Sequence, residues 1–145
     1  MDAKELQTKI NAGEVNVGDK LWVADYRHNN VTEKPIRHVE PQLVELCAND
    51  TLPKNKTIYY ADFHFRPVSK TGTVLKQVIA PYDNTGYRGY TGVSVGIFFT
   101  EQEAKDYYVK QCNIVLDAVT VERDKQDKLF ANLVTENVNR IANFS

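Results

Sequence analysis

The chain of 145 residues contains no apolar run of about eighteen residues and no charged-then-apolar leader, so neither a spanning helix nor an export signal is expected. The expectation is a cytoplasmic protein with no membrane contact. Its two cysteines, Cys47 and Cys112, are far apart in sequence. That spacing favours two reduced core thiols over a disulfide framework. Three histidines, His28, His38 and His64, fall in separate segments without the close His/Cys pairing of a zinc site. Alternate-residue pairs such as His38 with Glu40 and Asp62 with His64 are explained equally well as polar pairs on an edge strand. Eighteen basic against nineteen acidic residues leave a formal charge of -1, so neither a diffuse basic face for duplex DNA nor the acidity of a nucleic-acid mimic shows in the total, and local patches stay open. Phosphate-binding, nucleophile-elbow and His-Glu-x-x-His motifs are all missing. No cofactor or metal is expected.

What is present is an α+β pattern. "DAKELQTKINAG" predicts a short helix with Asp2 as N-cap, Leu6 and Ile10 on one face and Gly13 just past the end. Val17-Gly18-Asp19 then turns into "KLWVADY", where Leu21, Val23 and Asp25 alternate with Trp22, Ala24 and Tyr26. "PIRHVEP", "QLVELCA", "TIYYADFHF", "GTVLKQVIA" and "TGVSVGIFF" predict further strands, with Pro35 and Pro41 pushing their segments toward an edge or a bend. Five to six short strands imply a small, strongly bent antiparallel sheet or partial barrel.

At Thr100 the period changes to that of a helix, with a capping box formed by Thr100 and Glu103. Residues 1–100 thus form the helix-and-sheet part and 101–145 a helical segment packed on it, within one domain. "ERDKQD" interrupts the apolar pattern and leaves open one long helix or a helical hairpin. Beyond it, Leu129, Phe130, Leu133, Val134, Val138 and Ile141 mark one face. On a continuous helix that stripe would overhang the sheet and call for a second subunit, a homodimer through the C-terminal helix.

"VGDKLWVADYR" resembles the opening strand of small barrels of the Src-homology and KOW type. "SVGIFFTEQEAKDYY", with the Asn, Lys, Thr and Tyr bias, resembles the strand-to-helix passage of short accessory proteins of bacteria and bacteriophages. This resemblance implies a phage-encoded protein acting in the bacterial cytoplasm on a host protein, and it supplies no catalytic residue.

The chemistry-bearing cluster is aromatic and cationic. In "YYADFHFRP", alternation puts Tyr59, Phe63 and Phe65 on a core face and Tyr60, Asp62, His64 and Arg66 on a polar one. "IAPYDNTGYRGYTG" adds Tyr82, Tyr87, Arg88 and Tyr90. Tyrosine gives contact area with few bonds to freeze, and arginine offers a planar donor fork. The leading expectation is therefore a non-enzymatic binding protein that contacts a host protein through Tyr60, His64, Arg66, Tyr82, Tyr87, Arg88 and Tyr90. The alternative is a nucleic-acid or nucleotide binder in which rings stack on bases and Arg27, Arg37, Arg66 and Arg88 meet phosphates. A third is a small nucleotide-processing enzyme using Asp62, His64 and Asp83 as acid/base groups.

Overall fold

The computed structural model describes residues 1–28, 37–55, 61–83 and 93–144. Helix α1 (Ala3–Asn11) starts as expected, with Asp2 Oδ1 accepting from the Glu5 amide at 2.8 Å. Gly13 follows its end at φ 76°, a left-handed conformation that glycine adopts without a Cβ penalty. Gly18, at φ 97°, makes the predicted turn into β1 (Lys20–Arg27). Leu6 is buried on α1, and Leu21 and Val23 on β1.

Strand β2 (Arg37–Ala48) joins the two expected segments into one twelve-residue strand. It runs antiparallel to β1 on one side and to β3 (Phe63–Pro67) on the other. Pro41 therefore lies in an interior strand rather than at an edge. The ladder tolerates it because the register slips there, Val23 pairing with Gln42 and Asp25 with Val39. The extra residue makes a bulge where the proline's missing N–H is needed least. Strand β6 (Gly96–Phe98) pairs with the other side of β1 and completes the order β3-β2-β1-β6. β4 (Tyr82–Asp83) and β5 (Val93–Ser94) form a separate two-stranded ribbon.

Among the described residues the main sheet thus has four strands, not five or six, and it is open rather than a partial barrel. "GTVLKQVIA" forms no strand and contributes only the isolated bridges of Val74 with Val68 and Ile79 with Phe65. "TGVSVGIFF" is broken at Val95, so its two halves pair with different partners. Both outer edges are already occupied. Phe65 and Ile79 exchange backbone hydrogen bonds at 2.8 and 3.0 Å beside β3, and Met1 and Ile97 do so at 2.7 and 2.9 Å beside β6. Neither edge is left to close a barrel.

One face of the sheet carries Val23, Leu46, Phe65 and Ile97, which pack with Leu6, Val15, Ile79 and Val95 into the main core. The other carries Trp22, Ala24, Tyr26, His38 and Gly96, as the register dictates. Helix α2 (Glu101–Phe144) lies on that second face, and it is one continuous helix of 44 residues. Thr100 Oγ1 accepts from the Glu103 amide at 3.3 Å and donates to Glu103 Oε1 at 2.8 Å, fixing its start.

Close approach of α2 depends on Gly96. A Cβ there would fall 2.8 Å from the Ala24 carbonyl oxygen and 2.8 Å from Tyr107 Cε1. The first of these is a backbone atom inside a ladder and cannot swing aside. Gly96→Ala is expected to lower stability by about 1–3 kcal/mol, the usual cost of overpacking. Chemical denaturation checks this, and an unchanged midpoint would contradict the packing described.

Candidate functional site

Helix α2 is bound to the sheet by two polar clusters. In the first, Asp25 sits on the core face of β1, fully buried, with Arg27 Nε donating to its Oδ1 at 2.8 Å. Arg37 Nε approaches Oδ2 at 3.8 Å, an ion pair without a hydrogen bond. Arg27 Nη2 donates to the Ser94 carbonyl at 3.0 Å and to the Tyr107 hydroxyl at 2.9 Å. One guanidinium thereby links β1, β5 and α2. Burial holds the Asp25 carboxyl above its usual range despite the pull of both arginines. A cleft of ≈ 480 Å³ opens beside this brace, between Asp2, Glu5, Phe98 and Tyr107. Arg27 reaches it with Nε and Nη2 already engaged.

In the second cluster, Tyr26 and His38 are cross-strand partners under α2. His38 Nε2 and the Tyr108 hydroxyl are 2.8 Å apart, and the Tyr26 ring meets those of His38 at 5.1 Å and Tyr108 at 5.9 Å. His28 Nε2 stands 3.0 Å from the Tyr26 hydroxyl. Among the described residues no three His, Cys, Asp or Glu side chains converge as metal ligands.

The predicted polar face of β3 exists, but its histidine is not exposed. His64 is fully buried opposite Cys47, and Arg66 is opposite Glu45. Cys47, His64 and Asn49 at first sight form a thiol-nucleophile arrangement. Their hydrogen bonds say otherwise. Arg66 Nε can only donate, so His64 Nε2 accepts from it at 3.1 Å, and the ring proton sits on Nδ1, 3.2 Å from Asn49 Oδ1. The lone pair that a base would offer to Cys47 is taken. Cys47 Sγ instead donates to the Glu45 carbonyl at 3.5 Å, and burial, then the Glu45 carboxylate, push its thiol up. Arg66 Nη2 also donates to the Thr51 carbonyl at 2.9 Å. The cluster is a clamp between β2, β3 and the turn Asn49–Thr51.

Burial, then the Arg66 charge, lowers the His64 pKa to about 4. The folded state therefore resists a proton that the unfolded chain takes up near pH 6.5. The His64 contribution to stability is full above that pH, is lost as pH drops from about 6.5 to 4, and is constant below, a loss on the order of 3 kcal/mol. His64→Gln should flatten that part of the pH–stability curve; an equally steep curve in the variant would contradict the assignment.

Of the residues proposed from sequence, the structure brings His64 and Arg66 together. It places Tyr82 half-buried against the core. Tyr60, Tyr87, Arg88 and Tyr90 lie outside the described residues. Arg27, Arg37 and Arg66, offered as phosphate contacts, are each engaged internally. Asp62 is exposed while His64 is buried, so the two do not form an acid/base pair. Sequence reasoning missed Asn49, Thr51 and the Asp25–Arg27–Arg37–Tyr107 brace. The signal for the brace was present: Asp25 alternates in phase with Leu21 and Val23, a carboxylate on a core face.

The distal half of α2 is different in kind. From Leu116 to Phe144 every side chain is exposed except that of Glu122, which is half-buried. Leu129, Phe130, Leu133, Val134, Val138 and Ile141 are 49–70% exposed. At 1.5 Å per residue this stretch extends about 43 Å past the last sheet contacts. Among the described residues no helix is long and apolar enough to cross a membrane. No protein-family model, curated protein or solved structure matches the chain.

Proposed function

We propose that the protein is a non-enzymatic binding protein in which a small α+β head meets a protein partner and helix α2 gathers copies of the chain. The observation that carries this reading is the exposed apolar stripe Leu129–Ile141 on a helix that has left its own sheet. An exposed stripe of that length is a liability in a monomer and an interface in an assembly. The wiring of Cys47 and His64, which are placed like a nucleophile and base, supports a structural role for that pair. The resemblance to phage accessory proteins favours a host protein as the partner, with Arg66, Tyr82, Tyr87, Arg88 and Tyr90 as its contact residues.

Sedimentation velocity over a hundredfold concentration range tests the reading. A mass that rises above the 16.5 kDa of the chain supports it, and a mass fixed at that value throughout contradicts it.

A further inference from the structure

The exposed face of α2 carries more pattern than its apolar residues alone. Starting at Val109 and stepping alternately by four and three, one meets Asn113, Leu116, Thr120, Arg123 and Asp127, then Phe130, Val134, Asn137, Ile141 and Phe144. These eleven positions form a heptad-spaced seam along most of the helix, apolar at six and polar at Asn113, Thr120, Arg123, Asp127 and Asn137, and every one of them is exposed. Val119, Leu133 and Val138 flank it, whereas Leu129 lies roughly 100° round the helix from Phe130, outside it. Near the sheet the seam does not compete with the fold. Ala104, Tyr108, Gln111 and Val115 face the head, and at roughly 100° per residue Val109, Asn113 and Leu116 lie on the opposite side of the helix.

Its polar positions say what covers it. In a parallel, in-register pair, Arg123 would meet Arg123 and Asp127 would meet Asp127, like charges at both central layers. Reversing one helix changes every pairing. Arg123 of each chain then faces Asp127 of the other, Asn113 faces Asn137, Leu116 faces Val134, and Val109 faces Ile141. The flanking Val119 falls beside the second copy's Leu133. About a two-fold axis between Arg123 and Asp127, this register matches charge with charge, amide with amide and apolar with apolar at four of its five distinct layers, and sets Thr120 against Phe130 at the fifth. Resting on the assembly reading above, we infer that α2 forms an antiparallel coiled coil with a second copy of this chain, in this register, holding the two heads at opposite ends.

The inference is tested by charge exchange and by distance. Arg123→Asp and Asp127→Arg, each alone, set like charges across the axis and are expected to weaken the dimer at least tenfold in sedimentation equilibrium. The double variant restores the opposite-sign pairing and should recover near-native association. Singles indistinguishable from the native chain, or a double variant weaker than either single, would overturn the register. Independently, a nitroxide at Asn143→Cys in a Cys47→Ala, Cys112→Ser background should lie roughly 55 Å from its copy, since the two sites are at opposite ends of the coil. A separation under about 25 Å would overturn the antiparallel arrangement while leaving self-association intact. A monomer would overturn both.

Discussion

Replacing Asp25 with alanine is expected to lower stability by about 3–5 kcal/mol, the largest single-site loss outside the apolar core. The carboxylate is fully buried and meets two guanidinium groups, with Arg27 bonded at 2.8 Å and Arg37 itself only 8% exposed. Its removal takes the countercharge from buried Arg37, which keeps its bond to the Ala80 carbonyl, and frees Arg27 from the geometry that carries it to Tyr107. Burial already holds the Asp25 carboxyl above its usual range, so the carboxylate's own desolvation is costly. The loss on deletion comes from the cations left behind. Asp25→Asn keeps an acceptor for Arg27 and should lose less than alanine does. Urea unfolding of the three proteins checks the order, and an alanine variant within about 1 kcal/mol of the native chain would mean that the brace is incidental.

The second large effect is on assembly. Phe130→Asp with Val134→Asp places two carboxylates on the exposed seam, at positions 70% and 49% accessible in the single chain. Because neither residue touches the head, near-native thermal unfolding of the sheet is expected. The association constant should fall by several orders of magnitude, since charges buried at a coiled-coil seam lose hydration without gaining partners. Light scattering at about 100 µM reports the change. A double variant as heavy as the native chain would place the interface elsewhere.

The sequence disclosed its local signals more fully than its long-range pairings. Caps at Asp2 and Thr100 and turns at Gly13 and Gly18 were legible because the interactions that form them span only a few residues. The continuity of α2 through "ERDKQD" was not, because a solvated helical turn and a polar break have the same composition. The open sheet was hidden for another reason. Whether "GTVLKQVIA" completes a strand depends on which edge it reaches, and Ile79 reaches only Phe65. In the head, the face shared by His64 and Arg66 followed from period-two alternation. The burial of His64 and the engagement of Arg66 did not, because Asn49 and Thr51 come to them from a turn whose position the alternation does not encode.

Hydrogen exchange of α2 tests the central claim most directly. A lone helix projecting into water opens readily, whereas one packed along a seam exchanges with the stability of its assembly. The account predicts that amides from Phe130 to Ile141 are strongly protected at about 100 µM, and that protection falls on dilution and in the Phe130→Asp, Val134→Asp variant. Rapid exchange of those amides in the native chain at every concentration would contradict it.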